Sequence, residues 1–417
     1  MAELEQSGSG QIVLLVAARN TPVASRMAMR FARAGCQVAA LHSAKAHLLA
    51  STQTVTRHFH YSAIDPIESL LGALSESGAH LVVPCDGLAV RHLHSVYAAL
   101  PSTPEAGAIA EVIERSLGDP TAYLVIDSRH EVQTAARAEG LNAAESFAIG
   151  RTTDPETLAQ SLPFPWVMKA DYSWGGRGVR IVHSLSEARA FDRVAGSPPS
   201  LGMAMKQLFI NKDRAALGEW MHAKRTGLSA QKPLTGRPAN AAVACWRGSV
   251  LAHIAVEVIS PSGLVRPPAV VRVIENEQIT QTVRRMTDRL GLSGFHSFDF
   301  MLDPESGQAA LIEFNSHCTG LTHINAGPGR DLVEAFYRKW TNTAPAQAQP
   351  PHPGLVIAYF PQAWVADADD PVLKTDAYDV PKEDPVFVER AMAKVQRDRR
   401  YVGLRSKVDA ITGRSER

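Results

Sequence analysis

A lysine followed by a glycine-rich stretch is the first part of this chain that could do chemistry. Lys169 closes an apolar run that starts at Val167, so the pattern predicts a partly buried strand carrying a cation that needs an anionic partner. Small residues come next, so the backbone can turn and bring its N–H groups close to a ligand. The stretch predicts a clamp for nucleotide phosphates built from Lys169, Ser173, Gly175, Gly176, Arg177 and Gly178.

Two other phosphate-binding patterns do not fit this stretch. A P-loop needs G-K-[ST] after its glycines, whereas Lys169 precedes them. The dinucleotide pattern G-x-G-x-x-G is also missing here. The alternative interpretation is a hairpin with a flexible turn and a surface lysine.

Acidic and amide side chains on two later strands form the second candidate site. Residues 294–320 parse as two strands joined by a turn at residues 303–307, with Asp299 on the first strand. On the second strand Glu313 and Asn315 are two residues apart, so they share one face. As antiparallel neighbours, the strands would gather an all-oxygen set suited to Mg²⁺ between ATP phosphates. The alternative is a solvated sheet face with scattered acids.

The elements before these sites alternate between strand and helix. Residues 11–41 are predicted to form strand, loop, helix and strand, followed by a helix near Pro66–Ser77 and a strand at Leu81–Pro84. This order is typical of an open parallel sheet and therefore of an α/β fold. The first turn lacks G-x-G-x-x-G, which argues against a dinucleotide site. Asp86 lies at the edge where ligands of such sheets gather, although an acid that stabilises a turn is the commoner explanation.

Composition narrows the class of partner. The 417 residues carry 43 basic and 42 acidic side chains, and a net charge of +1 gives no case for binding nucleic acid or a membrane. Four scattered cysteines without C-x-x-C spacing, and an amino terminus without a signal-peptide core, predict a reduced, cytoplasmic protein. No apolar run reaches the ~18 residues of a membrane span. We therefore expect small-molecule substrates.

The two candidate sites together resemble the ATP-grasp superfamily, in the branch that includes biotin carboxylase, D-alanine:D-alanine ligase and the carboxylate-amine ligases. Those enzymes have a strand lysine followed by a glycine-rich flap, later an acid, and then E-x-N on a following strand. The matching positions are Lys169 with the loop Asp171–Gly178, then Asp299, then Glu313-Phe314-Asn315. The resemblance covers residues 129–332, about half of the chain.

Two positions depart from the family pattern. The family's first nucleotide-binding lysine lies at the start of a helix, and the matching residue here is Arg129, which follows the predicted N-cap Ser128. Arginine can replace lysine at a phosphate, but with a different reach. His317 stands where the family has an arginine after the glutamate. The residue that holds the anion of the substrate is therefore left open.

The resemblance implies an ATP-grasp fold preceded by a Rossmann-like pre-ATP-grasp domain, which is α/β overall with an α+β lid. The lid is also expected to hold an additional helix at Met203–His222. The implied domains are residues 1–115, residues 116–345 with a lid at about 150–230 and a central sheet at about 230–345, and a carboxy-terminal extension at 346–417 without assigned chemistry.

An adenine hinge is also implied by the resemblance, as a short strand that runs into a glycine turn. The better match is Ser229–Gly236, with Leu234 as an apolar contact and Gln231 or Lys232 as a polar one. A competing match at Lys206–Phe209 lies within a helical pattern and ranks lower.

The remaining candidates surround the expected substrate. Asn240 is assigned to the nucleotide, and Lys169 and His317 are assigned to catalysis. Arg272 or Arg266 would meet the acyl phosphate or the substrate carboxylate, with a surface salt bridge as the alternative. His323 lies in a loop after the E-x-N strand and is a candidate substrate contact.

The implied activity is ATP-dependent ligation of a carboxylate to an amine through an acyl phosphate. ATP with Mg²⁺, or Mn²⁺, would be needed, and small carboxylic acids and amines would be the partners. A homodimer would follow the habit of the family. Two alternatives stay open: a phosphotransferase or carboxylase on the same fold, and a non-catalytic nucleotide-binding module.

Overall fold

The computed structural model describes residues 10–43, 46–149, 153–171, 178–195, 205, 227–260, 268–327, 329–346 and 354–397. Within these ranges three β-sheets with packed helices organise the chain, and the predicted α/β class is confirmed. No helix among the described residues is long and apolar enough to cross a membrane.

An open parallel sheet forms the amino-terminal part of the fold. Its elements are β1 (Ile12–Ala17), α1 (Pro22–Arg33), β2 (Gln37–His42), β3 (Val55–His60), α2 (Pro66–Ser77), β4 (Leu81–Pro84) and α3 (Gly87–Ala99), with a 3₁₀ turn at Leu48–Ala50. The strand order is β3-β2-β1-β4, and each neighbouring pair is parallel. The apolar runs of β1 and β4 are buried, as expected for strands covered on both faces.

A helical connection leads from this sheet into a small antiparallel sheet, the lid sheet. The elements are α4 (Pro104–Leu117), α5 (Tyr123–Ile126), α6 (Arg129–Ala138), β5 (Ser146–Ile149), α7 (Pro155–Ser161), β6 (Trp166–Ala170), β7 (Val179–Val182), α8 (Leu185–Ala195) and β8 (Leu228–Gln231), with a 3₁₀ turn at Pro120–Ala122. The strand order is β5-β8-β6-β7. Met168 and Ala230 pack in the core of this sheet, so Lys169 and Ser229 lie on its opposite face.

A six-stranded antiparallel sheet, the central sheet, follows. Its elements are β9 (Arg237–Trp246), β10 (Ser249–Val258), β11 (Val270–Ile274), α9 (Glu277–Arg289), β12 (Gly294–Leu302), β13 (Ala309–Asn315), α10 (Leu332–Trp340) and β14 (Val356–Ala358), in the order β13-β12-β9-β10-β11-β14. A short α11 (Gln362–Ala366), a 3₁₀ turn at Pro371–Lys374 and a helix α12 over residues 385–397 complete the described chain.

Strand pairing extends the hairpin of the central sheet beyond its sequence pattern. The alternation of residues predicts a first strand at Ala241–Cys245, but β9 begins at Arg237 and contains Pro238. These additional residues pair with the end of β12, where Pro238 lies opposite Met301. Pairing with the distant strand β12 therefore makes these residues part of a strand, although proline is unfavourable there. The predicted lid helix at Met203–His222 lies outside the described residues.

Two apolar cores hold the central sheet in place. The first joins it to the amino-terminal domain through Phe31 of α1, Phe295 of β12 and Phe336 of α10. The ring centroid of Phe295 lies 5.9 Å from that of Phe31 and 5.1 Å from that of Phe336. The second lies on the other face, beneath α6 and α9, and contains Val132 and Ile279. Because Val132 of α6 is buried in this core, the start of α6 lies beside β13.

The carboxy-terminal segment is anchored on α1. Phe360 and Phe387 pack with Met29 in a separate apolar cluster. Beside them the two carboxylate oxygens of Asp379 contact Arg26 of α1 and His323, at 2.5 Å and 2.6 Å. One acidic side chain thus ties the extension to both the amino-terminal helix and the loop that follows β13.

We expect Asp379→Ala to destabilise the fold, because it leaves Arg26 and His323 in a largely buried place without their shared carboxylate. Removing one partner of such a pair should cost about 2–4 kcal/mol of unfolding free energy. Thermal and urea unfolding measure the change. Asp369→Ala, at an exposed position of the same segment, is the matched control, and an equal loss in both variants would contradict the anchoring role.

Candidate active site

The predicted oxygen-rich set does assemble on the central sheet. In the strand register Asp299 of β12 lies opposite Glu313 of β13 on one side and Asn240 of β9 on the other. The amide of Asn240 donates to Asp299 Oδ1 at 2.6 Å, and the amide of Asn315 donates to Asp299 Oδ2 at 3.2 Å. A bulge beside Asp299 leaves Ile312 between paired residues and turns its carbonyl toward the site.

Burial and a second carboxylate make Asp299 hard to ionise. Burial, reinforced by the negative charge of Glu313, raises the pKa of Asp299 to about 6, against the opposing hydrogen bonds from Asn240 and Asn315. The carboxylate pair thus concentrates negative charge that a cation would relieve. Such a pair is the kind of donor set that attracts a hard divalent ion.

We expect binding of a divalent ion to the protein to weaken at low pH, because the metal takes the deprotonated Asp299. With a pKa near 6, affinity should be nearly full at pH 7.5 and about tenfold lower at pH 5. Titration with Mn²⁺ at each pH, with free Mn²⁺ detected by electron paramagnetic resonance, measures this change in affinity. Asp299→Asn should weaken Mn²⁺ binding and remove its pH step, whereas a pH-independent affinity in the unsubstituted protein would contradict the assignment.

Two cations approach the acidic pair from different elements. Lys169 of β6 is only 5% exposed, and its Nζ donates to the carbonyl of Ile312 at 2.8 Å. Arg129, the first residue of α6, forms an ion pair of 2.7 Å with Glu313. The site therefore joins the lid sheet, the α6 helix and the central sheet at one point.

The charges of these groups are set by competition between burial and partners. Burial lowers the pKa of Lys169 to about 8, although Glu313 acts in the opposite direction, so the amine is mainly protonated at neutral pH. Burial would raise the pKa of Glu313, but Arg129 and Lys169 outweigh it and keep this pKa below its usual value. Glu313 is therefore an ionised carboxylate between two cations.

The face of the lid sheet that carries Lys169 also carries buried polar groups without partners. Ser146 lies opposite Gln231, and Ser229 lies opposite Lys169, so the four side chains share that face. Ser146 Oγ, Ser229 Oγ and Gln231 Nε2 have no hydrogen-bond partner among the described residues. Buried polar atoms normally have partners, so these atoms fit a ligand with donors and acceptors of its own. The sequence predicted Gln231 but missed Ser146, whose only signal is its pairing across the sheet.

The predicted hinge joins the lid sheet to the central sheet. β8 ends at Gln231, Lys232 is exposed and Leu234 is half-buried in the connection to β9. At Gly236 an added Cβ would lie 2.2 Å from the carbonyl oxygen of Leu302. The hinge needs glycine there because the backbone approaches β12 too closely for a side chain.

His317 follows β13 and lies against the amino-terminal domain. Its ring is 3.7 Å from the position that a Cβ on Gly87 would occupy, at the first turn of α3. Burial lowers the pKa of His317 to about 4, so the ring is neutral at pH 7 and differs in charge from the arginine that the family has there. Asp86 caps α3 through Ala89 N and also accepts from Arg19 N at 3.0 Å, which agrees with the turn-stabilising interpretation.

Other predicted residues contact groups outside the acidic pair of Asp299 and Glu313. Arg272 Nη1 is 3.1 Å from Glu257 Oε1, which matches the salt-bridge alternative, and Arg237 also pairs with Glu257. His323 contacts Asp379 of the carboxy-terminal segment at 2.6 Å rather than the residues of β12 and β13. Gly178 closes the lid hairpin by accepting from Ala170 N at 2.8 Å. Several predicted residues lie outside the described ranges: Ser173, Gly175, Gly176, Arg177, Arg266 and Lys206–Phe209.

The donor set fits Mg²⁺ only in part without a nucleotide. Among the residues that the structure describes, no group of three His, Cys, Asp or Glu side chains could enclose a metal ion. Asp299 and Glu313 supply two carboxylates, and Asn315 adds an amide. Mg²⁺ commonly binds through one or two carboxylates and completes its shell with water and substrate phosphates, so this set suits a metal that arrives with ATP.

A protein-family model matches the part of the chain that contains Arg129, Lys169, Asp299 and Glu313. The family model described as "Carbamoyl-phosphate synthase L chain, ATP binding domain" matches residues 128–321. No curated protein sequence matches the chain.

Solved structures share the fold at low sequence identity. The biotin carboxylase domain of Hydrogenobacter thermophilus 2-oxoglutarate carboxylase is 15% identical with a TM-score of 0.56, over 81% of this chain and 71% of that one. L-amino acid ligase from Bacillus licheniformis is 13% identical with a TM-score of 0.52, over 79% and 74%. Rhizobium etli pyruvate carboxylase is 14% identical with a TM-score of 0.55, over 80% of this chain but only 29% of that one. Residues 128–321 are therefore similar to the ATP-binding domain of the carbamoyl-phosphate synthase L chain, and the chain shares its fold with these ATP-grasp enzymes.

Proposed function

We propose that this protein is an ATP-dependent ligase that activates a carboxylate as an acyl phosphate and joins it to an amine. The observation that carries the proposal is the arrangement around Glu313. Glu313 and Asp299 form a carboxylate pair, and Lys169 and Arg129 approach this pair from other elements. Two cations beside two acids can hold a triphosphate and its metal at one place. The similarity to an L-amino acid ligase supports the same reaction class.

The proposed mechanism gives a role to the side chains around Glu313 and on the polar face of the lid sheet. Lys169 and Arg129 would neutralise phosphate oxygens, which lets an anionic carboxylate approach the γ phosphorus. Asp299 and Glu313, with Asn315, would hold Mg²⁺, which when bound supplies further neutralisation of the β and γ phosphates. Asn240 and Asn315 orient the carboxylate of Asp299. The polar face of the lid sheet, at Ser146, Ser229 and Gln231, would meet the nucleoside.

The chemistry balances in two steps. A substrate carboxylate oxygen attacks the γ phosphorus, the bond between that phosphorus and the β–γ bridging oxygen breaks, and ADP leaves. The amine nitrogen then attacks the acyl carbon, phosphate leaves, and the amine loses a proton. Water must be kept from the intermediate, because hydrolysis would waste the activated acyl group.

A trapping assay tests the proposal. The purified chain is incubated with MgATP and a panel of small carboxylic acids, with hydroxylamine replacing the amine, and both ADP and hydroxamate are measured. Hydroxamate formed with one acid, and ADP release that rises with a matching amine, are the expected results. ADP release without any amine would instead support a phosphotransferase or carboxylase, and no nucleotide turnover with any acid would support a binding module.

A carboxylase is the second candidate and uses bicarbonate as its acid. The similarity to a biotin carboxylase domain, whose structure contains MgADP and bicarbonate, favours including bicarbonate in the panel. His317 argues against this candidate, because a ring that is neutral at pH 7 cannot pair with bicarbonate as a charged arginine would.

A further inference from the structure

Asp171 connects the strand that carries Lys169 to the helix that carries Arg129. It follows β6 directly, two residues after Lys169, and its Oδ1 accepts the main-chain N–H of Arg129 at 3.0 Å. Its own N–H donates to the carbonyl of Gly227 at 2.9 Å. The two cations of the site thus have one common neighbour, although they are 40 residues apart in the chain.

The position of the carboxylate matches the needs of the helix. The first N–H groups of an α-helix have no partner within it, and negative charge at this end is favourable. Ser128 already caps α6 by accepting from Glu131 N, so Asp171 satisfies a different group, the N–H of Arg129. The contact therefore fixes the backbone from which the arginine side chain extends.

Gly227 makes room for this carboxylate. A Cβ added at Gly227 would lie 2.2 Å from Asp171 Oδ2. Any side chain there would force the carboxylate to move. Glycine therefore suits the position immediately before β8, where the carboxylate occupies the space of a side chain.

We propose that Asp171 is a positioning residue that holds Arg129 in line with the nucleotide phosphates, an inference that rests on the proposed nucleotide site. In this structure the side chain of Arg129 pairs with Glu313, and a phosphate would compete with that carboxylate for the same guanidinium. The main-chain bond to Asp171 does not depend on which partner the guanidinium takes. It keeps the start of α6 beside β6, so Arg129 and Lys169 stay at a fixed separation.

Nucleotide binding measured by calorimetry with MgADP tests the role without requiring turnover. Asp171→Ala should weaken MgADP binding about tenfold, the equivalent of one charge-assisted hydrogen bond. Asp171→Asn keeps an oxygen that accepts the Arg129 N–H, so its affinity should return to within about threefold of the unsubstituted protein. In an Arg129→Met background Asp171→Ala should cause no further loss, because its effect acts through the arginine.

The control is Asp154→Ala, which removes another acidic helix cap of the lid, where Asp154 accepts from Glu156 N at 2.9 Å. It should lower thermal stability slightly and leave MgADP affinity unchanged. If Asp171→Ala does not fold, Asp171→Ser, which is polar but too short to reach the N–H, should show the same loss.

The outcomes separate this inference from the proposed function. Normal MgADP affinity in Asp171→Ala, or a loss that simply adds to that of Arg129→Met, would overturn the positioning role while the proposed function stands. A lack of MgADP binding by the unsubstituted protein would overturn both.

Discussion

Replacing Lys169 by alanine is expected to lower ATP turnover by about 10²–10³-fold, the range seen when one preorganised donor to a developing negative charge is lost. Lys169 is buried, and its Nζ lies 2.8 Å from the carbonyl of Ile312. Burial lowers the pKa of Lys169 to about 8 against the opposing charge of Glu313, so the amine is mainly protonated at neutral pH. Without it, the negative charge of Asp299, Glu313 and the phosphates would lose one of the two cations that the described residues bring to the site. ADP release under saturating substrate measures the effect.

The same substitution separates catalysis from folding. Lys169→Ala also leaves the Ile312 carbonyl without its donor, which should cost about 1–3 kcal/mol of stability, so circular dichroism and thermal unfolding must show a folded variant. Lys339→Ala, on an exposed position of α10, is the matched control and should keep full turnover. Because the pKa of Lys169 is about 8, nucleotide affinity in the unsubstituted protein should fall as the pH rises above 8. Near-normal turnover in Lys169→Ala would overturn the enzymatic assignment.

Replacing Glu313 by glutamine or alanine is expected to abolish metal-dependent ATP turnover, with a loss of about 10³-fold or more. Glu313 is the group on which the site converges: Arg129 lies 2.7 Å from it, and Asp299 lies opposite it in the sheet. Glutamine keeps the shape but removes the charge that a divalent ion requires. The loss should appear in ADP release at every Mg²⁺ concentration, and the fold should remain intact.

The exposed turn of the same hairpin provides the control for Glu313. Glu305→Gln changes a solvent-facing acid between β12 and β13 and should leave turnover unchanged. Glu313→Gln should also lower the pKa of Asp299, because one of the two causes that raise it, the charge of Glu313, is removed. Turnover in Glu313→Gln that approaches the normal rate, or that recovers at high Mg²⁺, would contradict the assigned role.

Several elements were predictable because their signals are local. The two-residue period of a strand placed Glu313 and Asn315 on one face of β13. The turn at residues 303–307 made β13 the antiparallel neighbour of β12, which carries Asp299. The N-cap Ser128 set the start of α6, so Arg129 was predicted at its first position. Such patterns depend on sequence neighbours within a few residues, and a sheet or helix repeats them faithfully.

Long-range partners had no comparable signal. Ser146 joins the polar face of the lid only because β5 pairs with β8, and the sequence could not show that two strands so far apart are adjacent. Arg272 was a candidate substrate contact, but the neighbouring strand offers it Glu257. His323 likewise lies against Asp379 of the carboxy-terminal segment, which had no assigned role.

By itself, the sequence determined the kinds of groups at the candidate site and the strands and helices that carry them: a strand lysine, an arginine at a helix start, and acids on a hairpin. Only the tertiary structure decided that Lys169 reaches the Ile312 carbonyl, that Arg129 pairs with Glu313, and that Asp171 holds both elements together. The physical reason is that local periodicity fixes the direction of a side chain relative to its own strand or helix. The distance between two elements is fixed by the packing of apolar cores formed from distant parts of the chain.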